Sequence, residues 1–201
     1  SVIRDTAGFW YGSVDVGDSK GLSLVLDTAS LYVVANTGLY QPSAASIDLN
    51  DTYTFGLAST ESNGCGIGNI STRVFKDDVT FAGLTAKNLT LFDVVPKPAP
   101  EPGTITQAQE QGLMGLGMNK LSFFPTLCAQ GVVDECRYGL AFGLDGTGTA
   151  ILGSKDQGLY EGELSVQKTG QDWDMTNKLM VDGTEILAES DTVVLDSGTV
   201  N

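Results

Sequence analysis

The chain has 201 residues, 41% of them hydrophobic, with 25 acidic against 11 basic side chains and a formal net charge of −14. That charge repels phosphate backbones and anionic lipid, which argues against nucleic acid as a partner, and no apolar run approaches the ~18 residues of a membrane span. Histidine is absent, which removes Ser-His-Asp and Cys-His machinery and histidine-ligated zinc together and leaves carboxylates as the groups to move protons.

The N-terminus lacks the basic-then-apolar order of a signal peptide, so any leader is expected to have been removed or never to have existed. Residues 9–16 alternate as a strand should, 17–21 are rich in turn formers, and 22–26 form an apolar run. Together they predict a β-hairpin whose second strand delivers Asp27. After Asp27-Thr28-Ala29-Ser30 a further apolar segment, 31–35, begins, so Asp27 lies on a tight connection between two strands. Residues 37–51 are small and polar and read as loop with a short strand.

Residues 53–59 and 67–75 predict a second hairpin with its tip around Asn63, Gly64, Cys65 and Gly66. The glycines there allow unusual backbone angles, which fits either a plain flexible turn or a lid over a cleft. Residues 78–81 and 85–95 form another hairpin through Gly83. The proline-rich stretch 96–103 reads as an extended surface insertion, because apolar β-like sequence resumes at Gly112-Leu-Met-Gly-Leu-Gly. Gly115 and Gly117 alternate there with apolar residues, as suits backbone packed closely on a neighbour.

A short helix is predicted within 122–129. Cys128 and Cys136 bracket a short loop and are placed either to close a local disulfide or to remain buried free thiols; Cys65 is left over. Strands follow at 137–144, 150–153 and 164–167, then a hairpin over 179–187 turning at Asp182-Gly183, then 192–195 leading into Asp196. The glycine-rich run 145–149 marks a boundary between halves, at 145/146. Asn50, Asn69 and Asn88 open glycosylation sequons, consistent with export and also attainable by chance. Almost no stretch sustains a helical period, so the chain is predicted to be all-β in class, with that one short helix.

The segment Leu-Val-Leu-Asp27-Thr28-Ala29-Ser30 returns as Val-Val-Leu-Asp196-Ser197-Gly198-Thr199. In each, aliphatics run into an aspartate, a hydroxyl residue, a residue with almost no side chain and a second hydroxyl. A long-period repeat of this kind implies two related halves that bring their loops together. A charge at the end of a buried strand is costly unless hydrogen-bonded, and Thr28, Ser30, Ser197 and Thr199 are suitable donors.

These segments resemble the two active-site signatures of the pepsin-like aspartic proteases. Residues 112–117 with Leu121-Ser122 are similar to the family's apolar-apolar-Gly segment behind the first aspartate. Ala150-Ile-Leu-Gly with 160–164 resembles the opening of its second lobe. The resemblance implies a bilobal acid protease fold, with residues 1–145 as the first lobe, carrying the flap, and 146–201 as an incomplete second lobe. It implies endopeptidase chemistry by Asp27 and Asp196 on an extended peptide or protein substrate, with Ser30 and Thr199 holding the outer carboxylate oxygens and no metal or cofactor.

Three positions depart from the family pattern. Ala29 stands where glycine is usual, Asn63 falls where the flap tyrosine belongs, and Tyr32 replaces the tryptophan that supports that tyrosine. An alternative implied by these departures is a pepsin-like protein with impaired catalysis, acting as a binding or inhibitor module. The family continues beyond its second signature, so a companion chain cut from the same precursor is expected to complete the second lobe. The expected location is extracellular, after secretion, or an acidic vacuole.

Overall fold

The computed structural model of the chain describes residues 1–59, 66–96, 111–154, 156–166, 168–169, 173–176, 179–187 and 192–199. Its main body is a sheet of ten strands: β1 (Val2–Arg4), β2 (Trp10–Val16), β3 (Ser19–Asp27), β4 (Val33–Ala35), β5 (Ile47–Ser59), β6 (Gly66–Phe81), β7 (Leu84–Val94), β8 (Gly112–Gly115), β9 (Tyr138–Phe142) and β10 (Thr147–Leu152). Their order across the sheet is β5-β6-β7-β4-β8-β3-β2-β1-β10-β9, with β6 also pairing to β2. Two small two-stranded sheets follow. β11 (Asp174–Thr176) pairs with β14 (Thr192–Val194), and β12 (Leu179–Val181) pairs with β13 (Thr184–Leu187).

The all-β expectation holds, with one short helix, α1 (Phe123–Ala129), among the described residues. Val14 and Val16 on β2 meet Leu22, Leu24 and Leu26 on β3, and Phe123, Phe124 and Leu127 of α1 close the same core. Each of these buried side chains contributes about 1.5–3 kcal/mol by leaving water. β3 lies between β2 and β8 and is covered on both faces, so its last four residues are all buried, Asp27 included. That explains the unbroken apolar run before Asp27.

The hairpin of β5 and β6 is longer than its apolar pattern showed. β5 starts at Ile47, inside the stretch read as loop with a short strand, and a bulge between Asp48 and Asp51 carries Asn50 at φ 50°. Residues 47–54 are exposed on both faces of the strand, so no buried face imposes the alternation that sequence reading depends on. The strand expected over residues 31–35 begins only at Val33. Residues 164–166, expected to be a strand, are irregular, with Leu164 and Val166 exposed and no ladder partner among the described residues. A strand is stabilised by its pairing, and hydrophobicity alone did not supply a partner.

The 145/146 division lies in the turn of the β9–β10 hairpin. β1 pairs with both β2 and β10, so one sheet runs across the division. Most of the proline-rich stretch 96–103 lies outside the described residues. At Asp182-Gly183, φ values of 49° and 75° make the predicted tight turn between β12 and β13.

Candidate active site

Asp27 ends β3, and the chain leaves the sheet at once through residues 28–30. β8 fills the space between β3 and β4, parallel to the first and antiparallel to the second, placing Gly115 opposite Asp27. The Leu116 N–H donates to the Asp27 carbonyl at 2.8 Å, Gly117 N–H to the Ser30 carbonyl at 2.9 Å, and Gly115 N–H to the Tyr32 carbonyl at 2.9 Å. The alternating glycines are required by this approach. A Cβ on Gly115 would lie 2.4 Å from the Tyr32 backbone nitrogen, and one on Gly117 would lie 2.7 Å from Leu31 Cδ2. The first loop is thereby pinned from behind.

The second loop, Asp196 to Thr199, follows β14 and faces the first with matching geometry. Ala29 N–H donates to Asp27 Oδ1 at 2.8 Å, and Gly198 N–H to Asp196 Oδ1 at 2.8 Å. Ser30 Oγ donates to Asp27 Oδ2 at 2.6 Å, and Thr199 Oγ1 to Asp196 Oδ2 at 2.5 Å. Thr28 and Ser197 act differently from the expectation that all four hydroxyls serve their own aspartate. Thr28 Oγ1 reaches across to the Leu195 carbonyl at 2.5 Å, and Ser197 Oγ to the Leu26 carbonyl at 2.6 Å. The backbone N–H of each donates to the other's hydroxyl oxygen, at 3.1 and 3.0 Å. The reason is directional: the inner hydroxyl of each loop points away from its own carboxyl and toward the opposite strand end.

A local two-fold axis therefore relates the loops, and the two carboxyls meet on it in hydrogen-bond contact. Burial pushes the Asp27 carboxyl up from 3.8 to about 6; the Ser30 hydroxyl opposes this, and the negative charge of Asp196 adds to it. Asp27 is buried while Asp196 is half-exposed. Two carboxyls in contact share one proton and titrate as a pair, so one can accept a proton while the other donates.

Of the other singled-out residues, Tyr32 is half-buried in a cluster of rings on β5 and β7. Its ring centroid lies 4.8 Å from Phe92, 5.7 Å from Phe55 and 6.4 Å from Tyr53. Gly66 opens β6 opposite Ser59. Asn63, Gly64 and Cys65 lie outside the described residues. Cys128 and Cys136 are joined as a disulfide. Asn50, Asn69 and Asn88 are exposed.

Sequence reading missed a hollow of about 470 Å³ beside the second loop, lined by Thr28, Tyr138, Leu140, Phe142, Trp173 and Leu195 together with Asp196 and Ser197. Residues 138, 140 and 142 share one face of β9, and that period-two pattern was the available signal. Tyr138 Oη donates to the Leu116 carbonyl at 2.8 Å, tying this wall to the segment behind Asp27. A family model described as eukaryotic aspartyl protease matches residues 9–201.

Proposed function

We propose that this chain, which belongs to the eukaryotic, pepsin-like aspartyl protease family, is an endopeptidase in which Asp27 and Asp196 activate a water to hydrolyse peptide bonds at acidic pH. The observation that supports this most directly is the contact between the two carboxyls, each braced by one backbone N–H and one hydroxyl. In the half-protonated pair, the ionised carboxylate takes a proton from the water as its oxygen attacks the peptide carbonyl carbon. The protonated carboxyl donates to the developing oxyanion. Collapse of the tetrahedral intermediate expels the amine, which leaves with a proton returned by the pair. The route forms no covalent bond between enzyme and substrate.

A substrate lying extended beneath the hairpin of β5 and β6 fits the family pattern. Val194 and Leu195 are exposed beside the hollow under the second loop, and Phe142 is exposed at its rim. This supports further polypeptide covering that face, and a companion chain from the same precursor is our reading of it. The disulfide and the three exposed sequon asparagines fit an extracellular or vacuolar location. A second reading, a cleft that binds peptides without turnover, is favoured by Ala29, whose methyl stands where the second loop has Gly198.

Cleavage of an acid-denatured globin at acidic and neutral pH tests the proposal, with wild type, Asp27→Asn and a statine-type peptide inhibitor compared. Acid cleavage abolished by both the substitution and the inhibitor supports the endopeptidase. Binding of the inhibitor with no cleavage supports the binding module instead.

A further inference from the structure

Tyr138 and Trp173 converge on one backbone carbonyl. Tyr138 Oη donates to the Leu116 oxygen at 2.8 Å, and Trp173 Nε1 donates to the same oxygen at 3.4 Å. The two rings meet edge-to-face at 5.7 Å, and Tyr138 also packs edge-to-face on Phe124 of α1 at 5.1 Å. Burial raises the Tyr138 pKa above its ordinary value, with the Trp173 N–H opposing, so the hydroxyl keeps the proton it donates. The carbonyl they hold belongs to the peptide unit joining residues 116 and 117, whose N–H, on Gly117, donates to the Ser30 carbonyl at 2.9 Å. Ser30 in turn holds Asp27 Oδ2 through its hydroxyl at 2.6 Å. A donor at one end of a planar peptide polarises it and strengthens the bond made by the other end.

Trp173 reaches the second loop as well. Its carbonyl accepts from the N–H of Leu195, the residue before Asp196, at 3.3 Å, and its neighbour Asp174 pairs with Val194 in the β11–β14 ladder. With φ at 56°, Trp173 occupies the left-handed region, which a bulky residue keeps only where its surroundings hold it.

We propose that Tyr138 and Trp173 are positioning residues for the carboxyl pair: together they clamp the Leu116 carbonyl behind Asp27, and Trp173 ties that clamp to the strand end that carries Asp196. This rests on the reading of Asp27 and Asp196 as the reacting pair. Neither ring touches substrate or moves a proton in it. The Thr28 and Ser197 bonds join the two loops at their turns, whereas the clamp joins them from behind. Without it the 116–117 peptide is free to tilt, carrying Ser30, and with it the outer oxygen of Asp27, out of line with Asp196.

The test compares Tyr138→Phe and Trp173→Phe with wild type as the intact chain, by amide hydrogen exchange read residue by residue with NMR and by cleavage kinetics on a globin-derived peptide. Tyr138→Phe removes one hydroxyl and keeps the ring. Exchange at Gly117 should rise about fivefold, the scale of one neutral hydrogen bond. Gly115, whose N–H donates to the Tyr32 carbonyl from a different peptide unit, is the internal reference and should not change. In the same variant kcat should fall on the order of tenfold with KM unchanged. Trp173→Phe should in addition speed exchange at Leu195, because residue 173 relaxes from its left-handed angle once the indole N–H is gone. Equal change at Gly117 and Gly115, or no change at Gly117, overturns the clamp, as does a selective change at Gly117 with kcat retained. A Leu195 amide unmoved by Trp173→Phe overturns the tie to the second loop. Should Trp173→Phe fail to fold, Tyr138→Phe decides the clamp alone. Faster exchange confined to Gly117 in a chain whose wild type cleaves nothing supports the clamp while removing the protease.

Discussion

Thr28 and Ser197 hold each other from both sides: each backbone N–H donates to the other's hydroxyl, and each hydroxyl donates onward to the carbonyl preceding the opposite aspartate. Four hydrogen bonds thus cross between loops that are far apart in sequence. Thr28→Val keeps the side-chain shape but removes one of these bonds as donor and one as acceptor. Leaving the Leu195 carbonyl and Ser197 N–H without partners is expected to lower unfolding free energy by about 2 kcal/mol. Thr28→Ser retains the hydroxyl and should recover most of that loss. Urea unfolding of the three proteins checks this, and peptide cleavage should fall in parallel because the loops lose their common brace.

Asp27→Asn should reduce acid cleavage by about 10²–10⁴-fold, the range ordinarily assigned to a positioned general acid or base. The alkaline limb of the wild-type profile should lie near the value of about 6 to which burial, against the Ser30 hydroxyl and with the Asp196 charge, raises Asp27.

The same shift sets a stability trend with a definite sign. Because the folded value is raised above 3.8, the folded state retains a proton that the unfolded chain releases. The contribution is fully present below 3.8 and is lost as pH rises through about 6. At about 1.4 kcal/mol for each tenfold change in proton affinity, wild type should lose on the order of 3 kcal/mol relative to Asp27→Asn between those limits. Urea unfolding of both proteins across that window measures the difference. A gain in wild-type stability with rising pH relative to the variant would contradict the buried, proton-holding Asp27.

Much of this site was legible in the sequence because it is written twice. The repeated aliphatic-Asp-hydroxyl-small-hydroxyl segments located both loops, and the apolar run identified β3 as a buried strand. A carboxylate at a strand end needs donors close in the chain, which pointed to all four hydroxyls, and the family resemblance implied that Ser30 and Thr199 hold the outer oxygens. The opposite roles of Thr28 and Ser197 do not follow, because they depend on how the loops face each other. Tyr138 and Trp173 were equally hidden, being distant in sequence from both aspartates and brought beside Asp196 only by the folded chain. Ser43, Tyr40 and Asp77 likewise meet only through the folded sheet.

Asp77 is 1% exposed and lies on β6 well along the chain from either signature. Tyr40 Oη donates to its Oδ2 at 2.8 Å, Ser43 N–H to Oδ2 at 2.9 Å, Ser43 Oγ to Oδ1 at 2.5 Å, and its neighbour Asp78 N–H to Oδ1 at 2.8 Å. Burial by itself would raise this carboxyl, but the donors from Ser43, Asp78 and Tyr40 outweigh it and hold the value below 3.8. The sign is therefore opposite to that of Asp27. Its contribution is present above the unfolded carboxylate range and is lost only as pH falls through the lower folded value. The loop 40–46 stays fastened to β6 in the acid range where the proposed chemistry operates. Asp77→Ala leaves these donors buried without their acceptor and should cost about 3 kcal/mol. Thermal unfolding at mildly acidic pH reads the loss, and a change below about 0.5 kcal/mol would show that the node is dispensable.

Gly115 is the glycine behind the first loop whose substitution bears most directly on Asp27. A methyl there would stand 2.4 Å from Tyr32 N, 2.6 Å from Leu31 C and 2.7 Å from Ser30 O, all of them backbone atoms of the first loop. No side-chain rotation relieves such a clash, so either β8 withdraws from β3 or the loop carrying Asp27 shifts. The first breaks the Leu116-to-Asp27 and Gly117-to-Ser30 hydrogen bonds, and the second separates the carboxyls. Gly115→Ala should therefore lower stability by about 1–3 kcal/mol, the usual range for overpacking, and depress kcat by more than the stability loss explains. Gly139→Ala is the matched control: it lies on β9, where an added methyl meets nothing within 4 Å. Equal effects of the two substitutions on cleavage, measured on samples confirmed folded by near-ultraviolet circular dichroism, would contradict the role of close backbone packing in placing Asp27.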